Sequence, residues 1–358
     1  MISIMIKPVS GSCNLQCSYC FYLDEMKHRS IPNFGRMEET VQETVVRRLL
    51  RSATEDLTII FQGGEPTLAG LPFYQRWMEL ERQYNTNGIT IDHLLQTNGT
   101  TLNEDWISFL KANDYLVGVS IDGPKAMHSA HRFGESSFPA FENTMEGIRL
   151  LQEGSIPWSA LCVLTDLNGS DPDGLYRFFH SLHCPQVQLI PCLSPLDGNS
   201  LAPSLSSDTF GSFFCRFFDC WYPDWCNNDT FFVSNFANWI AMVQGLPPIA
   251  CGFEPQCSPQ YVIEADGSVY PCDFYVLEEY HLGQLSQSGF PAIKRALDES
   301  PFLHPAPLPE QCTQCPYESL CHNGCKRMRA DGVYRFCEGT RAFFQHAFPR
   351  LQKLAKAQ

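Results

Sequence analysis

Cysteine is the residue that most constrains what this chain can fold into. The 358 residues include 17 cysteines, an odd number that fits a fully paired set of disulfides poorly. The N-terminal stretch lacks the basic start, the long apolar run and the cleavage site of a signal peptide, so we expect a cytoplasmic, reducing location. Crowded thiols in that compartment are more often metal ligands than disulfides. The sequence therefore predicts metal–thiolate sites.

The charge and hydropathy of the chain exclude two broad classes of function. The 25 Lys and Arg residues are outnumbered by 39 Asp and Glu residues, which gives a formal net charge of −14. A protein that grips a nucleic-acid backbone needs a basic surface. No run approaches the ~18 apolar residues of a membrane span. We therefore expect neither a nucleic acid nor a membrane as partner.

The first half of the chain alternates between short, β-branched apolar runs and amphipathic stretches. The candidate strands are Ile2–Val9, Leu57–Gly63, Ile91–Gln96, Tyr115–Ile121, Pro157–Leu164 and Val187–Pro191. The candidate helices lie around Glu38–Arg51, Pro72–Tyr84, Asn103–Ala112, Phe138–Gln152, Asp173–Leu182 and Ser206–Tyr222. Six strand–helix units in series predict an α/β fold with a parallel sheet, either open or a partial barrel. The active site is then expected in the loops at the carboxyl ends of the strands.

The alternation weakens after about Asn235, where Pro, Gly and Cys become dense. Short segments such as Gln260–Ile263 resemble strands of hairpins there. We therefore predict two domains, residues 1–235 and residues 236–358.

The motif Cys13-x3-Cys17-x2-Cys20 follows the first candidate strand. Three thiolates this close can face one point, and thiolates select iron–sulfur clusters, zinc or copper. A 4Fe–4S cluster on three cysteines leaves one iron open to another ligand, whereas zinc would need a remote fourth ligand. Spacing alone leaves both open.

A second group of cysteines lies near the C-terminus, and its size indicates two sites of four ligands each. Two 4Fe–4S clusters or two structural zinc ions suit such sets equally. The members are Cys251, Cys257, Cys272, Cys312, Cys315, Cys321, Cys325 and Cys337. The remaining cysteines have no C-x2-C spacing and are expected to be buried apolar thiols. They are Cys162, Cys184, Cys192, Cys215, Cys220 and Cys226.

The three-cysteine loop, with Tyr19, Phe21 and Tyr22 around it, resembles the signature of the radical S-adenosylmethionine (SAM) superfamily. The resemblance implies a partial (β/α)6 barrel and a 4Fe–4S cluster whose open iron binds the amino and carboxylate groups of SAM. The strand-end sequence Gly63-Gly64-Glu65-Pro66, by itself an ordinary turn, resembles the motif that binds the methionine part of SAM. Further SAM contacts implied by local matches are Tyr19, Ser120, Arg132 and Leu193; turn or core packing is the alternative for Ser120 and Leu193.

The cysteine-rich C-terminal region resembles the SPASM extension of radical SAM enzymes that modify peptides and proteins. The resemblance implies two auxiliary 4Fe–4S clusters, so that the chain would hold three clusters in all. It alone assigns the ligands to two interleaved sets: Cys251, Cys257, Cys272 and Cys325 in one, and Cys312, Cys315, Cys321 and Cys337 in the other.

The segments QGGEPTLAG, IPCLSPL and GSVYPCDFYVLEEY narrow the resemblance to anaerobic sulfatase-maturating enzymes. That family oxidises a cysteine or serine in a sulfatase motif, C/S-x-P/A-x-R, to Cα-formylglycine. A 5′-deoxyadenosyl radical removes hydrogen from Cβ, and a flavodoxin or ferredoxin is the expected electron donor. Asp273 matches the family's proposed base, and burial beside an anionic cluster is expected to raise the pKa of its carboxyl.

Two other functions fit parts of the sequence. A radical SAM enzyme of the same build would instead make a thioether or another modification in a ribosomally made peptide. Such relatives often carry an N-terminal peptide-recognition domain, for which a first ligand at Cys13 leaves no room. A non-catalytic electron carrier or zinc-stapled module would not need six strand–helix units.

Overall fold

The computed structural model describes residues 2–135, 138–198 and 203–357. In chain order the strands are β1 (Ile2–Ile6), β2 (Leu57–Phe61), β3 (Ile91–Thr97), β4 (Leu116–Ser120), β5 (Trp158–Leu164), β6 (Gln186–Pro191), β7 (Phe232–Val233), β8 (Val262–Ile263), β9 (Ser268–Tyr270), β10 (Gly283–Gln284), β11 (Arg329–Ala330) and β12 (Val333–Tyr334). The helices are α1 (Phe21–Lys27), α2 (Glu39–Ser52), α3 (Leu71–Tyr84), α4 (Glu104–Ala112), α5 (Lys125–His131), α6 (Ala140–Glu153), α7 (Asp166–Gly169), α8 (Pro172–Ser181), α9 (Ser207–Cys226), α10 (Ser234–Val243), α11 (Phe290–Asp298), α12 (Glu310–Thr313), α13 (Glu318–Cys321) and α14 (Cys337–Ala357).

The chain forms two compact units, each assembled from separate stretches of sequence. The first unit comprises the chain as far as Ser120, together with Arg132–Trp158 and Pro259–Leu303. The second comprises Ile121–His131, Ser159–Ser258 and the chain from His304 onwards. The domain boundary at residue 235 stays a prediction.

The first unit is built on a sheet in the order β10-β9-β8-β1-β2-β3-β4. Strands β1 to β4 are parallel, with Ile4 opposite Ile59 and Ile59 opposite His93. Their carboxyl ends therefore meet at one edge, which collects the loops after β1, β2 and β3. The predicted hairpin near Gln260–Ile263 is present as β8 and β9, and β8 also pairs in parallel with β1. That second pairing was not predicted, because it depends on tertiary packing between distant segments.

The six predicted strands and six predicted helices are all present, with ends that differ by a few residues. Helix α2 buries Val45, Val46 and Leu49 on one face, which is the pattern that predicted it. The Asn103 side chain accepts from the Trp106 N–H and so caps α4. Helix α1 was not predicted, because its seven residues are too few to show a helical period.

The second unit contains the parallel strands β5, β6 and β7 and a helical layer formed by α9, α10 and α14. The layer packs through aromatic side chains: the ring centroid of Phe343 lies 4.5 Å from that of Trp239 and 6.0 Å from that of Phe214. Helix α14 was not predicted. Its hydrophobic face packs against α9 and α10, and this packing is visible only in the folded structure.

Among the described residues, no helix combines the length and the hydropathy needed to cross a lipid bilayer.

Truncating the centre of this aromatic layer tests how much it stabilises the fold. Phe343 is fully buried, so Phe343→Ala is expected to lower the unfolding free energy by about 3–5 kcal/mol. Phe348→Ala, on the same helix but half-buried, is the matched control and is expected to cost less than half as much. Thermal unfolding of both variants measures the difference, and equal losses would contradict the packing described.

Candidate active site and metal centres

The loop that carries the first three cysteines is clamped to the loop after β2 by backbone hydrogen bonds. The Gly64 N–H donates to the Ser10 carbonyl at 2.8 Å, and the Glu65 N–H donates to the Ser12 carbonyl at 2.8 Å. A Cβ atom on Gly64 would lie 2.0 Å from the Ser12 carbonyl oxygen. Gly63, at φ +130°, occupies a conformation that favours glycine. The glycine pair is therefore required by the close approach of two loops, and its contact with SAM stays a prediction.

Hydrogen-bond donors point at all three thiols of this loop. The Leu15 N–H donates to Cys13 Sγ at 3.3 Å. Cys20 precedes α1, and the N–H groups of the first turn of that helix donate to its sulfur. Donors aimed at sulfur stabilise the negative charge of cluster-bound thiolates. The donor set therefore fits an iron–sulfur cluster.

Burial favours the protonated forms of the Cys13 and Cys20 thiols. Burial raises the pKa of Cys13 to about 12; the Leu15 N–H opposes this rise, whereas the neighbouring Cys17 and Cys20 add to it. Burial likewise raises the pKa of Cys20. Metal binding at this loop must therefore displace protons.

Tyr19 lies within the cysteine loop, and Arg132 lies beside it. The Arg132 guanidinium lies 5.4 Å from the centre of the Tyr19 ring and donates toward Cys17 Sγ at 4.0 Å. Ser120 is the half-buried last residue of β4 in the same unit. Leu193 follows β6 in the second unit and is also half-buried. The SAM contacts assigned to these four residues stay predictions.

Glu65 joins the ends of β2 and β3. One carboxylate oxygen accepts from the Thr67 N–H at 3.1 Å, the Thr67 hydroxyl at 2.5 Å and the Thr97 hydroxyl at 2.7 Å; the other accepts from the Asn98 N–H at 2.7 Å. Burial raises the pKa of Glu65, and these donors oppose the rise. Its structural role is thus to fix the strand ends around the cysteine loop.

Asp273, the predicted base, is buried in the loop after β9. Its Oδ2 accepts from the Tyr22 hydroxyl at 2.6 Å and from Gln62 Nε2 at 2.8 Å, and its Oδ1 lies 3.2 Å from Lys7 Nζ. Burial raises the pKa of the Asp273 carboxyl, while the Lys7 ammonium and the Tyr22 hydroxyl oppose the rise. The loop after β9, α1, and the ends of β1 and β2 therefore converge on one carboxylate.

The carboxylate belongs to a buried network of charges that sequence reasoning missed. Lys7 Nζ lies 3.7 Å from Glu264 Oε1, and Arg29 Nη1 donates to the same oxygen at 3.0 Å. Burial raises the pKa of the nearby Glu25 to about 8, against the opposing charge of Lys7. With Glu25 protonated, two cations balance the carboxylates of Glu264 and Asp273.

One sequence signal pointed to part of this network. Lys7 and Gln62 are polar residues placed directly after the apolar strands β1 and β2, at the edge where an active site was expected. Glu264 likewise follows the short strand β8 directly, but its pairing with Arg29 could not be predicted, because it joins segments 235 positions apart.

The C-terminal cysteines of the second unit fall into two groups. Cys251 and Cys325 belong to neighbouring backbone segments, since a Cβ atom on Gly252 would lie 3.4 Å from the Cβ atom of Cys325. Cys312, Cys315, Cys321 and Cys337 line a single cavity. The two interleaved ligand sets implied by resemblance stay a prediction. Cys272, the remaining member of the first set, follows β9 in the first unit, so its ligation stays a prediction.

Four thiols around one cavity fit a fully cysteine-ligated 4Fe–4S cluster. The six unassigned cysteines are mixed in burial. Cys162, Cys184 and Cys192 are buried as expected, whereas Cys226 is exposed and Cys215 and Cys220 are half-buried.

Comparison with known proteins identifies the family. Residues 8–179 match the Radical SAM superfamily, and residues 251–316 match SPASM, an iron–sulfur cluster-binding domain. The chain is 35% identical to the cysteine-type anaerobic sulfatase-maturating enzyme of Clostridium novyi, over 99% of this chain and 97% of that protein. It is 31% identical to the serine-type anaerobic sulfatase-maturating enzyme of Bacteroides thetaiotaomicron, over 99% of this chain and 91% of that protein.

The fold is also similar to that of a relative whose structure has been solved. The structure of native anSMEcpe with bound AdoMet and Kp18Cys peptide superimposes with a TM-score of 0.94 at 34% identity, covering 100% of this chain and 99% of that chain. The predicted fold class, a radical SAM domain followed by a SPASM-type iron–sulfur domain, is confirmed. The chain belongs to the anaerobic sulfatase-maturating enzymes of the radical SAM superfamily.

Proposed function

We propose that this chain oxidises a cysteine of a sulfatase to Cα-formylglycine. The observation that carries the proposal is a buried, oriented carboxylate, Asp273, in the same compact unit as the three-cysteine loop. Removing hydrogen from a Cβ–S unit requires a base as well as a one-electron reagent, and this unit holds residues for both.

Three 4Fe–4S clusters and SAM are the cofactors. Cys13, Cys17 and Cys20 hold the first cluster, which together with SAM supplies the one-electron chemistry that removes a hydrogen atom from carbon. The eight C-terminal cysteines hold the two auxiliary clusters, in the sets given above. Arg132, beside Tyr19 and Cys17, is suited to hold the SAM carboxylate by a charge-assisted hydrogen bond.

Asp273 takes the proton that the target must lose. Converting CH2–SH to a thioaldehyde removes one hydrogen atom, one proton and one electron. The hydrogen atom would pass to the 5′-deoxyadenosyl radical, the proton to Asp273 and the electron to an auxiliary cluster. Water would then replace sulfur at the carbon, and hydrogen sulfide would leave. Oδ2 of Asp273 already accepts two hydrogen bonds, from Tyr22 and Gln62. Oδ1 has Lys7 as its neighbour and retains a lone pair for the incoming proton.

Lys7 keeps the Asp273 carboxylate ionised and in place. A carboxyl group this buried holds its proton more strongly, and a cation at 3.2 Å opposes that effect. Lys7 also lies 4.2 Å from the centre of the Tyr22 ring, so it contacts both the carboxylate and one of the two groups that donate to it.

The substrate is a sulfatase segment with the motif C-x-P-x-R, and the electron donor is a low-potential carrier such as a flavodoxin or ferredoxin. Cysteine-type relatives are 34–35% identical to this chain and the serine-type relative of Bacteroides thetaiotaomicron 31% identical, which supports cysteine as the target.

The direct test uses anaerobically purified protein with full iron content, SAM, dithionite and a short peptide carrying C-x-P-x-R. We expect a peptide aldehyde, trapped by a hydrazine, together with 5′-deoxyadenosine, because the target is oxidised at Cβ. The matched Ala peptide should give no aldehyde, and the Ser peptide less than the Cys peptide. A thioether or an unchanged Cys peptide in the presence of 5′-deoxyadenosine would contradict the proposal.

Asp273→Asn tests the base. The amide retains the size of the carboxyl but accepts no proton, so formylglycine formation is expected to fall about 100-fold or more. Iron content and 5′-deoxyadenosine formation in the absence of peptide should persist. Wild-type yields of aldehyde from the Asn variant would remove Asp273 from this role.

Lys7→Met tests the positioning of the base, and Arg29→Met is its matched control. Each variant removes one of the two buried cations that lie beside the Glu264 carboxylate, but only Lys7 also contacts Asp273. We expect the ratio of aldehyde to 5′-deoxyadenosine to fall on the order of 100-fold in Lys7→Met and to change much less in Arg29→Met. Equal ratios in the two folded variants would contradict a specific role for Lys7.

A further inference from the structure

The turn between Cys321 and Cys325 connects a ligand of one predicted auxiliary cluster to a ligand of the other. Its three residues, His322, Asn323 and Gly324, all adopt left-handed backbone conformations, with φ of 47°, 59° and 56°. Two of them are not glycine, so the turn is strained and needs contacts that hold it.

Arg329 supplies such contacts. Its Nε donates to the Asn323 carbonyl at 2.9 Å, and its Nη2 donates to the Gly324 carbonyl at 2.9 Å. The Asn323 side chain donates to the Gly332 carbonyl and accepts from the Tyr334 N–H, at 2.9 and 2.8 Å. Two hydrogen bonds therefore hold the Arg329 guanidinium against the turn, and the Asn323 side chain holds the turn against the backbone of Gly332 and Tyr334.

The position of Arg329 relates it to both groups of cysteines. The turn to which its guanidinium donates joins Cys321, which lines the cavity of one group, to Cys325 of the other group. One fixed positive charge therefore lies at the junction between the two ligand sets.

We propose that Arg329 is a positioning residue that sets the reduction potentials of both auxiliary clusters, by holding one positive charge next to the two ligand sets. Reduction adds negative charge to a cluster already surrounded by thiolates. A fixed cation close to the ligands stabilises the reduced form more than the oxidised form and raises the potential. The inference rests on the auxiliary clusters of the proposed function, and it does not depend on which peptide is the substrate.

Potentiometric titration of the intact, reconstituted protein, followed by electron paramagnetic resonance, tests this proposal. We expect Arg329→Gln to lower the potentials of both auxiliary clusters and to leave that of the three-cysteine cluster unchanged. Arg329→Lys retains the charge but cannot donate to both carbonyls in the same way, so its auxiliary potentials should lie between those of the wild type and the Gln variant.

Arg350→Gln is the matched control, because it removes one positive charge from the same unit at a side chain that pairs with Asp219. Its auxiliary potentials should equal those of the wild type. Should Arg329→Gln fail to retain iron, auxiliary potentials of Arg329→Lys that lie below those of the wild type support the proposal. If the Arg329 variants that retain full iron have the same auxiliary potentials as the wild type, the proposal is overturned. If the wild-type protein binds iron only at the three-cysteine loop, the auxiliary clusters of the proposed function are overturned instead.

Discussion

The buried ion pair between Lys7 and Asp273 is the interaction on which the arrangement of the candidate active site depends. Placing two charges out of water costs several kcal/mol for each ion, so both need close partners. Tyr22 and Gln62 donate hydrogen bonds to the Asp273 carboxylate, and the Glu264 carboxylate lies 3.7 Å from the Lys7 ammonium. Since each partner comes from a different segment, the ion pair brings β1, α1, the end of β2 and the loops beside β8 and β9 to one point in the first unit.

A backbone constraint places the cysteine loop at the same edge of the sheet. The loop after β2 crosses the cysteine loop so closely that Gly64 has no room for a side chain. The buried carboxylate of Glu65 then ties this crossing to the end of β3. Hydrogen bonds of the chain itself thus hold these loops and strand ends in place, which is the preorganisation that radical chemistry needs if reactive species are to be kept from solvent.

The sequence predicted those features that spacing or periodicity expresses locally. Cys13, Cys17 and Cys20, the six strands and the main helices follow from such patterns, and the family followed from motifs around them. The salt bridges of Glu264 could not be predicted, because its partners Lys7 and Arg29 lie 235 or more positions away in the sequence. Helix α14 was not predicted either. The interleaved cysteine sets came from resemblance, and only the folded second unit shows that Cys312 and Cys337 line one cavity.

The central claim is that Asp273 is the group that receives the proton of the target cysteine. The most direct measurement is an anaerobic crystal structure of this chain with SAM and a C-x-P-x-R peptide. The account predicts that the target Sγ lies within hydrogen-bonding distance of an Asp273 carboxylate oxygen, directly or through one water. A target Sγ out of reach of Asp273 and in contact with another titratable side chain would contradict it.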